Sequence, residues 1–538
     1  MHLPAPLETL TQNSLRKVLF SFIVYVTVSC VSLNSGYAQT SSQSQTLPDQ
    51  HKIIQEIDGD PLAIALDEQM PALLVKYRVP GAVVSGIKNG NVAWTKAFGY
   101  ANLSTGTPMK PDMVFEHGSN GKVLTAWGIM RLVEEGKLDL DAPANRYLKR
   151  WQIRSSQFDP NAVTIRRLLS HTAGLTVHGF MDYSQRRRLP SLVEMLEGKN
   201  QIPPFGEGPV LIAWQPGSRE VYSGGGFVLL QMVIEDVTGE SFASFMHREV
   251  TAPLGLRTLQ WAWTPALEAA APMPYGELQE PIGYRQLGSQ SIGSEICSVP
   301  DFARFIAAAV TGSHGEPAGR GVLKPDSVEQ MLEIQTNSED AGLGYGVGWA
   351  NGQHKMLNHS GANPGWDASF SLDASQREGY VIAINSMLGG PLHVAVDNLW
   401  RRTVWGKAYG ADPPPASGET IHFNQIVLKI VLALWALLLL ITGQITHRAL
   451  RGKRRWSWPP SKRRLLVPSA FVMMAFVWWY LFYAPQSLPL PLSPAIPDFW
   501  VLPFVNYIAT VLLGLVGVSL LIALLPRNNA ELKNEKEG

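Results

Sequence analysis

The spacing of apolar residues changes several times along the chain. In Asp60–Tyr77 (DPLAIALDEQMPALLVKY) they recur every three or four positions, which predicts an amphipathic helix. Residues 79–102 (VPGAVVSGIKNGNVAWTKAFGYAN) instead alternate in two runs that meet at Asn89-Gly90, a hairpin signal. Helical spacing dominates from about 119 to 340. Alternation then returns at GYGVGWA (344–350), HKMLNHSG (354–361), ASFSLDAS (368–375) and GYVIAINS (379–386), with a last helix over 391–405. Helix, strands, a long helical insertion, strands and a helix predict an α+β (α/β) fold. One antiparallel sheet is built from both ends of this segment and flanked by helices, with a helical lobe beside it.

Beyond residue 422 the pattern becomes almost wholly apolar. Phe423–Ile445, Leu465–Tyr483 and Trp500–Leu525 are each long enough to cross a bilayer, which predicts three transmembrane helices. The loop THRALRGKRRWSWPPSKRR between the first two carries eight Lys/Arg and no acid, whereas the next loop (APQSLPLPLSPAIPDF) has neither Lys nor Arg. The positive-inside rule places the first loop in the cytoplasm, so the first span enters from outside. At the other end, Leu15–Lys17 precede an apolar run from Val18 to about Leu33, then Gly36 and Ala38, the pattern of a secretory signal; an uncleaved anchor is the alternative. The two ends agree on an exported domain. The expected order is a signal peptide (1–38), a flexible tether (39–59), an exported domain (60–409), a Pro-rich linker (410–422), three spans (423–525) and a cytoplasmic tail (526–538). The expected location is a bacterial inner membrane with the domain periplasmic.

The net charge of +1 conceals this asymmetry. A basic run between two spans is a topology determinant, so no nucleic-acid partner is expected. Of the two cysteines, Cys30 lies in the signal and Cys297 in the domain, which leaves no intramolecular disulfide after cleavage. There is no HExxH, CxxC or His/Cys cluster, and neither a metal nor a cofactor is expected.

The chemistry-bearing pattern is S-x-x-K, and it occurs three times: Ser14/Lys17, Ser85/Lys88 and Ser119/Lys122. Ser14 belongs to the targeting segment. Ser85 lies in an alternating run, where residues three apart face opposite sides of a sheet. Ser119 precedes a helical stripe (Val123, Leu124, Trp127, Met130) that ends at Gly136, so Lys122 falls one turn on, along the same side. Ser119 could serve there as a helix cap. A lysine in a first turn opposes the helix dipole, however, and dipole and burial together favour the neutral amine that could take a serine proton. Local chemistry leaves cap and nucleophile evenly matched.

Five stretches decide between them: FEHGSNGKVLTAWGIMRLVEEGKLDLDAPANRYL, TIRRLLSHTAGL (164–175), WQPGSREVYSGGGFVLLQMVIEDVTGESF (214–242), YGVGWA and NHSGANPGW (358–366). In sequence and order they resemble class C β-lactamases and related penicillin-binding-protein-like serine hydrolases (the S12 type of peptidase), over about residues 60–405. The resemblance implies a β-lactamase/transpeptidase-like fold. It makes Ser119 the acylated nucleophile, Lys122 its base and Tyr222, in the Y-x-N position, a proton shuttle. His359-Ser360-Gly361 matches the K-T-G or H-x-G element. His359, Gly361 and the nearby Asn363 would contact substrate, and the backbone N–H groups of Ser119 and Ala362 would form the oxyanion hole. His171 of SHTAGL reads as a structural residue that fixes a loop.

Two positions depart from the pattern. Gly224 replaces the Asn of Y-x-N, and His359 replaces the lysine that anchors carboxylates in true β-lactamases. The domain-plus-three-spans architecture and the HSGANP stretch resemble the colibactin-activating type of prodrug peptidase, inner-membrane enzymes that remove an N-acyl-D-asparagine group. The expected partners are a small-molecule or peptide substrate and the membrane. Within the enzyme class the alternatives are a D,D-carboxypeptidase, a β-lactamase and an esterase; outside it, the alternative is a catalytically silent sensor or cell-wall-binding protein that kept the fold.

Overall fold

In the computed structural model the described residues run from 59 to 451, apart from 181, 186–187, 200–207, 277–278, 336–337, 339, 351, 409 and 415–417; Arg454, Gly514, Leu515, Val518 and Ile522 are also described. The expected signal, the tether up to residue 58 and the second span lie outside them. The chain divides into two units, one mainly Lys52–Lys429 and the other holding Ile430–Ala475 and Ile508–Gly538.

The first unit is built on a seven-stranded antiparallel sheet ordered β3-β2-β1-β11-β10-β9-β8. Its strands are β1 (Gly81–Lys88), β2 (Asn91–Asn102), β3 (Thr107–Pro108), β8 (Gly346–Ala350), β9 (His354–Asn363), β10 (Trp366–Asp373) and β11 (Glu378–Ile384). Strands β4 (Val114–Glu116) and β7 (Ile296–Ser298) form one small pair, and β5 (Asp182–Ser184) and β6 (Arg285–Leu287) another. Helix α1 (Pro61–Tyr77) starts where Asp60 accepts the N–H groups of Leu62 and Ala63, 2.9 and 3.0 Å away, satisfying two otherwise orphaned donors. The β1–β2 hairpin turns through positive φ at both Asn89 and Gly90, the geometry that asparagine-glycine pairs supply.

The two ends of the domain meet in the middle of the sheet, where β1 pairs with β11 with Val84 opposite Ile382. Alternation along β1 sorts its side chains. Ala82 and Val84 join α1 and the helix Gly390–Trp405 on one face, while Val83 and Ile87 join the larger core on the other. That larger core also buries the helices that carry the site: α2 (Gly121–Glu134), α3 (Gly224–Thr238) and α4 (Val299–Ala307). Helix α5 (Gly390–Trp405) closes the opposite face.

A further helix, α6 (Gly418–Leu450), begins inside the expected Pro-rich linker. Its stretch Ala433–Leu450 is long and apolar enough to cross a membrane by length and composition, the one such stretch among the described residues. Four residues of the expected third span are described and helical, and one of them, Val518, packs with Leu438 and Ile445.

Candidate active site

Ser119 sits in a single 3-10 turn, Gly118–Asn120, wedged between β4 and α2. The α-helix expected to start at Ser119 begins two residues later, at Gly121, because the 3-10 turn Gly118–Asn120 leads into it. The Ser119 side chain caps neither helix. Its Oγ instead lies 3.0 Å from Lys122 Nζ, which also donates to Ile292 O at 2.8 Å. Lys122 is 2 % exposed, so the ammonium or amine is held between two oxygens away from bulk water.

The look-alike pair behaves differently. Ser85 is buried in β1 with its hydroxyl 2.8 Å from Thr95 Oγ1, and Lys88 turns away to Glu378. Opposite faces of a strand separate the two, as its alternation requires.

The Tyr222 ring faces the same lysine, with Lys122 Nζ 5.1 Å from the ring centroid. His171 fixes this segment: its carbonyl accepts the Val221 N–H at 2.7 Å, and its Nδ1 accepts the Ser223 N–H at 3.1 Å. Its ring lies 4.3 Å from that of Tyr222. Burial, aided by the charge of Lys122, holds His171 well below the ordinary histidine pKa, which keeps Nδ1 free to accept. The loop-fixing role expected for His171 is thus a placement of Tyr222. Ser223 caps α3 by accepting the Gly226 N–H at 3.2 Å. A side chain at Gly224 would start 2.9 Å from His178 O, so backbone fills the space where the Y-x-N pattern has an asparagine.

Strand β9 closes the other side. A methyl group on Gly361 would sit 2.1 Å from His117 O and 2.4 Å from Ser119 N, and one on Gly118 would sit 2.7 Å from Ala362 N. Only glycines allow this backbone approach, and it brings the Ser119 and Ala362 amides onto facing segments. The His359 ring is 6.4 Å from that of Tyr222, and its Nδ1 donates to Ser360 O at 2.7 Å. Burial and the Lys122 charge push His359 down to about 4, so at neutral pH it offers an uncharged imidazole. The amide nitrogen of Asn363 is already committed to Glu116 Oε2 (2.6 Å) and Gly293 O (2.8 Å), which leaves its oxygen as the polar atom a substrate could meet.

Two acids that the sequence reading passed over complete the surroundings. Glu116 accepts from Trp263 Nε1 at 2.5 Å as well as from Asn363, and burial raises it to about 8 against the pull of those hydrogen bonds. Glu295 is fully buried, with its carboxyl against Gly121, where backbone N–H groups are near it but no side chain donates to it among the described residues. Its burial keeps it well above the carboxylate range. Glu116 was detectable as an acid within the apolar run VFEHG. Glu295 and the Ile292 carbonyl reach the site only through the fold.

A nucleophile-base contact, a phenol-bearing ring over the base and two converging backbone amides are the parts an acyl-transfer site needs. The chain is similar to several known proteins. The chain is 30% identical over 234 residues to esterase EstB of Burkholderia gladioli, covering 43% of this chain and 59% of that protein. It is 25% identical over 366 residues to penicillin-binding protein 4* of Bacillus subtilis (strain 168), covering 63% and 76%. With EstB and the Staphylococcus aureus protein flp, the match spans about three-fifths of the relative's own length. Among solved structures, an octameric penicillin-binding protein homologue from Pyrococcus abyssi superposes with a TM-score of 0.53 at 24% identity, over 68% of this chain and 82% of that one. A beta-lactamase/D-alanine carboxypeptidase from Pseudomonas syringae gives 0.50 at 16% identity, over 64% and 99%. The Beta-lactamase family profile matches residues 60–403, most of the chain, and the protein belongs to that family.

Proposed function

We propose that the protein is a membrane-anchored, periplasmic serine hydrolase that cleaves an amide next to a D-amino acid through an acyl-enzyme on Ser119. The observation that carries this reading is the 3.0 Å contact between Ser119 Oγ and the buried Lys122 Nζ. Lys122 takes the Ser119 proton while Oγ bonds to the substrate carbonyl carbon. The oxyanion forms between the Ser119 and Ala362 N–H groups. Collapse breaks the C–N bond, and the proton passes to the leaving amine, with Tyr222 as the shuttle. Water then attacks the acyl carbon, again with its proton drawn toward Tyr222 and Lys122, and the acid product leaves a free Ser119. His359, Gly361 and the Asn363 oxygen are placed to line the acyl side.

The amide and D-amino-acid preference rests on the spans, on the HSGANP stretch and on a neutral imidazole at position 359, where a carboxylate-anchoring lysine would favour β-lactams or D,D-peptides. An esterase is the reading that the EstB relative favours. The test is a substrate panel with the full-length protein in detergent: N-acyl-D-asparaginyl amides, their L-epimers, acyl-D-Ala-D-Ala, a chromogenic cephalosporin and a nitrophenyl ester. The proposal predicts that the D-configured amides turn over fastest and that Ser119→Ala abolishes this. Equal rates for the two epimers, or turnover of the ester alone, would contradict it. Anchoring is tested by a reporter fused near residue 457, which should be active only if exposed to the cytoplasm.

A further inference from the structure

Glu116 stands three residues before Ser119 and takes no part in the acyl-transfer steps above. Its two oxygens are held from different directions, Oε1 by Trp263 Nε1 and Oε2 by Asn363 Nδ2. Asn363 directly follows Ala362 on β9, so this one side chain ties the turn that carries the nucleophile to the strand that carries the second oxyanion donor. Those segments also meet as glycine against backbone, at Gly118 and Gly361, and Asn363 Nδ2 has a second anchor in Gly293 O at 2.8 Å. The glycine contact limits how close the segments come but resists sliding weakly, because it is non-directional. Two hydrogen bonds at 2.5 and 2.6 Å are directional, and they can fix register.

We propose that Glu116 is a positioning residue, which holds the Ala362 N–H in line with the Ser119 N–H by anchoring Asn363. The proposal rests on the acyl-enzyme reading. Around Glu116, Asp182 of β5 and Arg285 of β6 form an ion pair at 2.9 Å, so that cation is already engaged. Glu295, ahead of β7, adds an acid whose ionisation Glu116 opposes. His117, on Glu116's own segment, is pushed by burial to about 4 and is uncharged at neutral pH. Glu116 is therefore largely neutral at pH 7, and among the described residues the groups around it offer no spare positive charge. Both donors, Trp263 Nε1–H and Asn363 Nδ2–H, favour the ionised carboxylate, so raising the pH through about 8 strengthens the link to Asn363.

The test uses the full-length protein in detergent with a nitrophenyl ester, from about pH 6 to about pH 10, and the variants Glu116→Ala, Glu116→Gln, Asn363→Ala and the double alanine variant. Glu116→Ala is expected to lower kcat about 10- to 100-fold with KM within about two-fold, since transition-state hydrogen bonding is what loosens. The double variant should be no worse than the poorer single one, because both break the same link. Glu116→Gln, which cannot ionise and sets its amide NH2 against one of the two N–H donors, should lower kcat and lose the change in kcat centred near pH 8. Independent, multiplying effects of the two alanine changes, or a Glu116→Gln enzyme with the wild-type rate and pH profile, would overturn the proposal. A wild type inert to a fluorophosphonate would overturn the acyl-enzyme reading beneath it.

Discussion

Two clusters of acids in the domain are treated in opposite ways. Beside α1 and α5, Asp60 and Glu378 flank Lys88 at 3.4 and 2.8 Å. Burial works against the Lys88 charge, but the two acids outweigh it and hold the lysine above its ordinary pKa. Beside α2, Glu116 feels the charge of Arg285 and Glu295 that of Lys122, yet burial outweighs both and holds the two acids above the ordinary carboxylate range. The first cluster is structural: the charges join a helix cap to two strands and satisfy one another. The second bears the cost of burying two acids next to the nucleophile. Departures from local rules of this kind concentrate where a fold serves chemistry.

Changes at the second cluster should therefore alter chemistry, and changes at the first should alter stability alone. The largest effect is expected from Lys122→Met, which removes the base. Acylation by a nitrophenyl ester, followed in a stopped-flow burst, should slow by about 10³-fold. Gly361→Ala comes next. The added methyl must push β9 off the nucleophile turn, and a displacement of this kind costs about 100-fold in kcat with the fold retained by circular dichroism.

Glu295→Met sharpens the contrast in the stability direction. Replacing a buried acid to which no described side chain donates by an apolar residue of similar length should raise stability by about 1–3 kcal/mol, read as a higher thermal midpoint. The sign with pH follows from the raised pKa. The folded state keeps a proton that the unfolded chain releases above its ordinary value of 4.5, so wild-type stability falls as pH rises past that point. The variant should lack this component of the slope. Smallest is Lys88→Met, which should cost about 1 kcal/mol or less and leave kcat unchanged. A loss of activity at Lys88, or none at Lys122, would erase the distinction between the two clusters.

The sequence made much of this domain legible. Periodicity located α1, the β1–β2 hairpin, the four C-terminal strands and α5, because each buries a face with its own period. The spacing of Ser119 and Lys122, with an alternating run around Ser85, separated the pair in contact from the look-alike. What escaped was set by backbone brought in from far along the chain. The Ile292 carbonyl that holds Lys122 and the His178 carbonyl that fills the space beside Gly224 leave no trace in side-chain patterns. Glu295 reaches α2 from some 170 residues away in the chain, and only the packing reveals that its carboxyl is buried. The start of α2 was misplaced because apolar periodicity does not register the 3-10 turn Gly118–Asn120 that leads into it.

The most direct measurement of the central claim is the mass of the intact protein after incubation with a fluorophosphonate, followed by peptide mapping. The acyl-enzyme account predicts one adduct per chain on Ser119, lost in Ser119→Ala and slowed in Lys122→Met. No adduct on the wild type, or an adduct that persists in Ser119→Ala, would contradict it.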